Sequence, residues 1–122
     1  IGPEPDGSVS PRERATLLET GAWLARYGES VYGTSRGMCN ESPTPLLSTF
    51  GSTTRKPGRI YLHVLYWHRE FVAVDIPEPI REARIAATGE KVSFSQDGDR
   101  ILLRDLPPSP PDPLDTVIVL EY

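Results

Sequence analysis

The chain has 122 residues and a mass of 13.5 kDa, which suits one compact domain that buries roughly two-thirds of the surface of its unfolded chain. Its net charge of −4 and pI of 5.1 argue against a nucleic-acid partner, because such proteins usually carry a basic face. No apolar run approaches the roughly 20 residues that a membrane-spanning helix needs, so we expect no membrane partner. The single cysteine, Cys39, excludes an internal disulfide and a multi-cysteine metal site.

The first ten residues are rich in Gly, Pro and Asp and predict a loop with a tight turn at Asp6 and Gly7. No leader peptide is visible, and the chain opens on Ile1 rather than methionine. We therefore interpret Ile1 as a boundary inside a longer protein, and the sequence leaves its localisation undetermined.

A helix is predicted to follow this loop, because the run Ser10-Pro11-Arg12-Glu13 has the layout of a capping box with proline at the first helical position. The helix should end near Tyr27, where Gly28 is placed to form a left-handed C-terminal cap.

The helix is predicted to pack on two sides. At 100° per residue, small and leucine side chains form one broad stripe, which we expect to be buried. Trp23 and Tyr27 form an i, i+4 pair on the other side and predict a second packed layer. The stripe comprises Ala15, Leu17, Leu18, Gly21, Ala22, Leu24 and Ala25.

Short runs rich in β-branched and aromatic residues follow the helix and predict an antiparallel β-sandwich. The fold class is therefore mainly β, with one preceding α-helix. Hairpin turns are expected at Lys56-Pro57-Gly58 and at Gln96-Asp97-Gly98-Asp99. The proline-rich segment 107–113 reads as a stiff connection to the last strand rather than as a ligand for a proline-binding module. The predicted strands are residues 46–54, 59–67, 70–75, 81–88, 91–95, 100–105 and 115–122.

Two histidines and a neighbouring aromatic cluster are the candidates for a binding role. On a strand, the odd spacing of His63 and His68 sends their side chains to opposite faces, so they should not chelate one metal. We interpret His63 as a hydrogen-bonded core residue. Trp67 and His68, with Tyr66 beside them, are weak candidates for substrate binding because aromatic rings stack on sugars, although core packing of Trp67 is favoured.

The carboxylates do not reveal a catalytic pair. A retaining glycosidase needs two carboxyl groups about 5–5.5 Å apart across the sugar, and the sequence places no pair in that way. Glu29 and Glu41 lie in the connection between helix and sheet. We expect Glu29 to accept hydrogen bonds from nearby backbone donors. The sequence contains no metal-binding or cofactor-binding motif, so we expect no cofactor.

The first third of the chain contains three distinctive runs, IGPEPDG at 1–7, LETGAWL at 18–24 and YGESVYGT at 27–34. These runs resemble the end of the catalytic domain of α-L-fucosidases of glycoside hydrolase family 29. Farther on, residues 50–56, 59–62 and 116–121 resemble the first hairpin and the last strand of the C-terminal sandwich of that family.

This resemblance implies that residues 1–33 are the last loop and helix of a catalytic (β/α) barrel and that residues 34–122 are the C-terminal sandwich. It also implies that the intact protein hydrolyses terminal α-L-fucosides with retention. The family's catalytic aspartate and glutamate precede the first matching run, so no residue here receives a catalytic role. Partners would be the barrel and fucosylated glycans, with self-association through Leu17, Leu18 and Leu24 when the barrel is absent.

Two other interpretations remain. Tyr66, Trp67 and His68 would also suit a free-standing carbohydrate-binding sandwich. A purely structural interaction module is the third possibility.

Overall fold

The structure, a computed structural model, describes residues 2–37 and 50–122 and contains one α-helix followed by short strands. The predicted mainly β fold is confirmed. The helix α1 spans Pro11–Tyr27 and leads into a 3-10 turn at Gly28–Ser30. The strands are β1 Ser35–Arg36, β2 Gly51–Lys56, β3 Arg59–Val64, β4 Phe71–Ala73, β5 Glu82–Ile85, β6 Ser93–Asp97, β7 Arg100–Arg104 and β8 Thr116–Glu121.

Helix α1 begins where the capping box predicts. The Ser10 hydroxyl oxygen accepts the backbone N–H of Glu13 at 3.3 Å, and the same hydroxyl donates to the Glu13 carboxylate at 3.0 Å. These bonds satisfy a donor that the first turn of a helix leaves without a partner.

The predicted left-handed cap at Gly28 is wrong. Gly28 has φ −58° and ψ −23°, so the chain continues in right-handed geometry into the 3-10 turn. Glycine suits this position for a steric reason: a Cβ there would lie 2.8 Å from the ring of Tyr32. The close approach of that ring, rather than a positive φ, is what a larger residue would disturb.

The strands form two antiparallel sheets. A five-stranded sheet has the order β1-β2-β3-β8-β5, and a three-stranded sheet has the order β4-β7-β6. Strands β3 and β8 therefore lie inside the larger sheet, as the apolar character of both their faces predicts.

Alternation along β3 and β8 sends side chains to two separate apolar cores. Ile60, Leu62 and Val64 of β3 point into the space between the sheets, together with Ile118 and Leu120 of β8. The opposite face of the larger sheet presents its own buried residues to α1, namely Tyr61, Val117 and Val119. The five-stranded sheet is thus covered on both sides.

Several strand boundaries differ from those predicted. Strand β3 ends at Val64, because the backbone N–H groups of Leu65 and Tyr66 both turn to the carbonyl of Phe50, at 2.8 and 2.9 Å. Strand β6 runs two residues beyond its predicted end at Ser95. The short strand β1 was not predicted, and the predicted positions 46–49 lie outside the described residues.

The turns and the proline-rich connection follow the predictions. Gly58 and Gly98 have φ of +81° and +60° in the β2–β3 and β6–β7 hairpins, and Gly7 has φ of +84° in the first loop. The proline-rich connection joins β7 to β8 and is held by the buried Thr116, whose hydroxyl donates to the carbonyl of Asp112 at 2.8 Å.

Candidate functional site

One side of α1 attaches the helix to the larger sheet, as predicted from its Trp23 and Tyr27 pair. Trp23 is the buried residue of the helix and packs with Tyr61, Val117 and Val119. Its indole N–H donates to the backbone carbonyl of Asp115 at 2.9 Å. Burying such a ring contributes about 2–3 kcal/mol, so this one side chain is the principal attachment of the helix.

The opposite side of α1 is an uncovered apolar face. Leu17 and Leu18 are 47% and 60% exposed, whereas the sequence pattern predicts a buried stripe. The reason is positional: helix residues 11–22 are almost entirely exposed, and burial begins at Trp23. Leu24, at the edge of the stripe, is half-buried against the Trp23 cluster.

A polar chain runs under the attached end of the helix and connects α1, β2, β3 and the start of β8. His63 lies at its centre with a side chain that is 7% exposed. Its Nδ1 is 2.7 Å from Oδ2 of Asp115, and its Nε2 is 2.9 Å from Oγ1 of Thr54. The Thr54 hydroxyl also donates to the carbonyl of Ser30, and the Ser30 hydroxyl donates to the carbonyl of Tyr27 at 2.7 Å.

This hydroxyl, imidazole and carboxylate have the connectivity of a hydrolase triad, but their chemistry is structural. A nucleophilic hydroxyl must point its hydrogen at the imidazole, whereas the Thr54 hydroxyl donates its hydrogen bond to the backbone carbonyl of Ser30. The imidazole is also buried beneath α1. The prediction that His63 is a hydrogen-bonded core residue is therefore confirmed. Its partners stand 9 and 52 residues away, and no local pattern in the sequence marks them.

The aromatic cluster after β3 is divided by the fold. Trp67 is half-buried against the sandwich core, and its indole N–H donates to the carbonyl of Pro107 at 2.7 Å. The favoured core packing of Trp67 is confirmed. His68 is exposed, and Tyr66 is 65% exposed.

The expected backbone contacts of Glu29 are replaced by an ion pair. Its Oε2 is 3.1 Å from a guanidinium nitrogen of Arg59, whose other terminal nitrogen is 3.6 Å from Glu121. Glu121 also meets Arg84 at 3.3 Å. Arg59 thus stands between these two carboxylates, so they do not face an open sugar position as a glycosidase pair would. Glu41 and Cys39 lie outside the described residues.

An open groove of about 510 Å³ lies beside the β2–β3 turn, lined in part by Ser35, Arg55, Lys56 and Tyr122. Burial works against the charged form of Arg55, but its hydrogen bond with Glu78 and the charge of that carboxylate raise the pKa of the guanidinium above its usual value. The Arg55 guanidinium also lies 6.0 Å from the centre of the Tyr122 ring. The Arg55 side chain and the Tyr122 ring are therefore both engaged in contacts within the fold.

Neither a metal centre nor a membrane span is found in residues 2–37 and 50–122. Across these residues no three His, Cys, Asp or Glu side chains gather in a way that would hold a metal ion. Within the same ranges, α1 lacks the length and apolarity needed to cross a bilayer.

Comparison with known proteins gives a consistent result along the whole chain. No protein-family model matches. The tissue α-L-fucosidase of Mus musculus is 28% identical over 125 residues, a match that covers 100% of this chain and 26% of that protein. The chain is similar to the C-terminal part of α-L-fucosidases. The predicted resemblance is confirmed, and the chain spans about a quarter of the length of that curated relative.

Solved structures support the same likeness. The α-L-fucosidase isoenzyme 1 of Paenibacillus thiaminolyticus superposes with a TM-score of 0.75 at 24% identity, covering 99% of this chain and 29% of that one. The α-fucosidase of Thermotoga maritima, solved in complex with fucose, gives a TM-score of 0.70 at 26% identity, and the match covers 98% of this chain and 29% of that one. The helix and both sheets together therefore form a recurrent unit of α-L-fucosidase structures.

Proposed function

We propose that this chain is the C-terminal part of a retaining α-L-fucosidase that hydrolyses terminal α-L-fucosides. The observation that carries the proposal is the match to α-L-fucosidases over the whole chain, at about a quarter of the relative's length. The remaining length of such an enzyme would supply the catalytic barrel and its carboxylates. The role of this chain is then to support that barrel.

The division at residue 33 gives the helix a specific role in this proposal. Residues 1–33 would complete the barrel, and residues 34–122 would form the attached sandwich. Two observations on α1 support this role. The Trp23 side is already packed on the sheet, and the leucine side is apolar and exposed. One helix would thus be shared between two domains, and the loop before it would lie at the rim of the catalytic face.

A second function is favoured by one observation. Tyr66 is 65% exposed and stands next to the exposed His68 and the half-buried Trp67, which is an arrangement that could stack on a sugar ring. In this alternative the sandwich is a free-standing carbohydrate-binding module. The exposed leucine side of α1 has no role in it.

Antibody depletion tests the first proposal. An antibody against this chain, added to an extract of the source organism, should remove hydrolysis of an aryl α-L-fucoside together with a protein several times heavier than 13.5 kDa. The isolated chain should show no turnover. Full retention of fucosidase activity in the depleted extract, with capture of a 13.5 kDa protein, would contradict the proposal.

Calorimetric titration tests the alternative. The isolated chain should give no saturable heat with fucose or fucosylated oligosaccharides if the first proposal is right. Saturable heat that is lost in Tyr66→Ala but kept in Tyr32→Ala, a matched change at a tyrosine that is 63% exposed, would favour the binding module.

A further inference from the structure

His63 lies where the helix end meets the sheet, and both of its ring nitrogens have a partner. Nδ1 is 2.7 Å from the carboxylate oxygen Oδ2 of Asp115. Nε2 is 2.9 Å from the hydroxyl of Thr54. The protonation of the ring follows from which of these partners can donate a hydrogen.

Thr54 has one hydroxyl hydrogen and two neighbours. The carbonyl oxygen of Ser30 can only accept, so the Thr54 hydrogen must point at it. The Thr54 oxygen therefore faces His63 with a lone pair, and Nε2 must carry a hydrogen to complete the bond. At the other nitrogen, the Asp115 carboxylate accepts, so Nδ1 must carry a hydrogen as well.

We propose that His63 is held doubly protonated, as an imidazolium paired with the Asp115 carboxylate, and that this pair is a pH-sensitive latch fastening α1 and its 3-10 turn to the larger sheet. The latch is a property of this chain and does not depend on the function proposed above. The two hydrogen bonds that attach α1 and its 3-10 turn to the sheet both involve a partner of His63. Asp115 accepts the Trp23 indole through its backbone carbonyl, and Thr54 holds the Ser30 carbonyl of the turn.

The surroundings of His63 favour a charge-compensated pair. Burial of the ring opposes its charge, and the Asp115 carboxylate, 2.7 Å away and 18% exposed on its side chain, supplies the compensating negative charge. The same face of the sheet and the helix above it carry further ionisable groups, with Asp115 the one in ion-pair contact with the ring. These groups are Arg59 and Tyr61 on β3, Lys56 on β2, Arg36 on β1, Glu82 and Arg84 on β5, Glu121 on β8, Arg26 and Tyr27 on α1, Glu29 in the 3-10 turn, and Asp112 before β8.

The direction of the pH effect follows from proton linkage. Both hydrogen bonds of the ring use a hydrogen on the imidazole, so the latch is complete while both ring nitrogens carry one and weakens when a hydrogen is lost as the pH rises. Once the proton leaves Nε2, that nitrogen becomes an acceptor and competes with Ser30 for the hydroxyl hydrogen of Thr54.

Nitrogen NMR of the chain labelled with 15N-histidine tests the protonation state directly. The sequence has two histidines, so the variant His68→Gln leaves the signals of His63 alone. At pH 7.5, where a solvated histidine is mostly neutral, both ring nitrogens of His63 should still show shifts of protonated nitrogen, with two slowly exchanging ring hydrogens. A His63 nitrogen with the shift of an unprotonated ring at pH 7.5 would overturn the proposal.

Paired variants test the latch itself. Asp115→Asn keeps an acceptor for Nδ1 but removes the charge, and Thr54→Val removes the hydroxyl with little change in shape. From pH 6 to pH 8.5 the wild-type helix transition should fall by about 5 °C, and this fall should shrink by at least half in Asp115→Asn. Asp99→Asn, at an exposed hairpin position, should keep the wild-type pH dependence. An unchanged pH dependence in Asp115→Asn would contradict the latch. Should Asp115→Asn and Thr54→Val not fold, the NMR measurement on His68→Gln still decides the proposal.

Discussion

The two faces of the five-stranded sheet are buried by unequal partners. Its inner face packs against the three-stranded sheet through a large apolar core that includes Leu62, Ile118 and Leu103. Its outer face is covered by the last two turns of α1, through Trp23 with half-buried Leu24 and Tyr27. The sandwich therefore contains its own core, whereas the helix is attached at one end and keeps an unused apolar side.

This difference shows how one chain can contain both a self-sufficient unit and an element suited to a second partner. Stability scales with apolar area removed from water, and most of that area lies between the sheets. The helix contributes little to that core and carries exposed leucines. We therefore expect changes in the two regions to separate in unfolding experiments.

The largest effect is expected from Leu62→Ala. Leu62 is fully buried between the sheets, so the cavity should lower the free energy of unfolding by about 3–4 kcal/mol. Thermal unfolding followed by tryptophan fluorescence and by circular dichroism should shift together to lower temperature. Val72→Ala, on the exposed outer face of β4, should shift the midpoint only slightly. Equal shifts in both variants would contradict the assignment of the main core.

Trp23→Ala should detach the helix and spare the sandwich. The change removes the buried ring and its hydrogen bond to Asp115, at a local cost of about 3 kcal/mol. Because the chain has two tryptophans, Trp67 then reports on the sandwich alone. Helical circular dichroism should melt early while the Trp67 transition stays within a few degrees of its position in Trp23→Phe. Simultaneous loss of both signals would show that the helix belongs to the sandwich core.

The pair Leu17→Glu and Leu18→Glu should reduce self-association of the isolated chain without unfolding it. Both side chains are exposed, so the free energy of unfolding should change by no more than about 0.5 kcal/mol. Sedimentation velocity should show oligomers of the wild type and mainly monomer for the variant. The matched control Thr16→Glu with Thr20→Glu adds the same charge at exposed positions of α1 outside the stripe and should keep the oligomers. A monomeric wild type would refute self-association through the stripe.

The smallest effect is expected at the first loop, outside both regions of the comparison. The hydroxyl and the backbone N–H of Ser8 donate to the Asp6 carboxylate and lower the pKa of that carboxyl below its usual value. The loop is therefore held at neutral pH and loosens as the pH falls through that lowered pKa. NMR titration should show the Ser8 amide shift changing at a lower pH than a free aspartate would produce, and Ser8→Ala should move the transition upward. The unfolding midpoint of the sandwich should not follow this titration.

The sequence by itself determined the local elements. Ser10 and Glu13 mark the start of α1, glycines at 58 and 98 mark the hairpins, and alternation along β3 marks a strand buried on both faces. These features depend on φ preferences, capping and side-chain period, which act between residues close in the chain. The likeness to α-L-fucosidases could also be identified from the sequence, because the matching segments are contiguous runs of residues.

Tertiary structure alone decided the contacts between distant residues. The pairing of His63 with Thr54 and Asp115, the ion pair of Glu29 with Arg59, and the right-handed geometry of Gly28 each depend on where another segment lies. The extent of the helix attachment belongs with them. The helical periodicity of the side chains identified both faces of α1. Only the position of the helix on the sheet determined that burial starts at Trp23 and leaves Leu17 and Leu18 exposed to water. The physical reason is that side-chain period reports the direction in which residues point, whereas burial requires another surface to be present there.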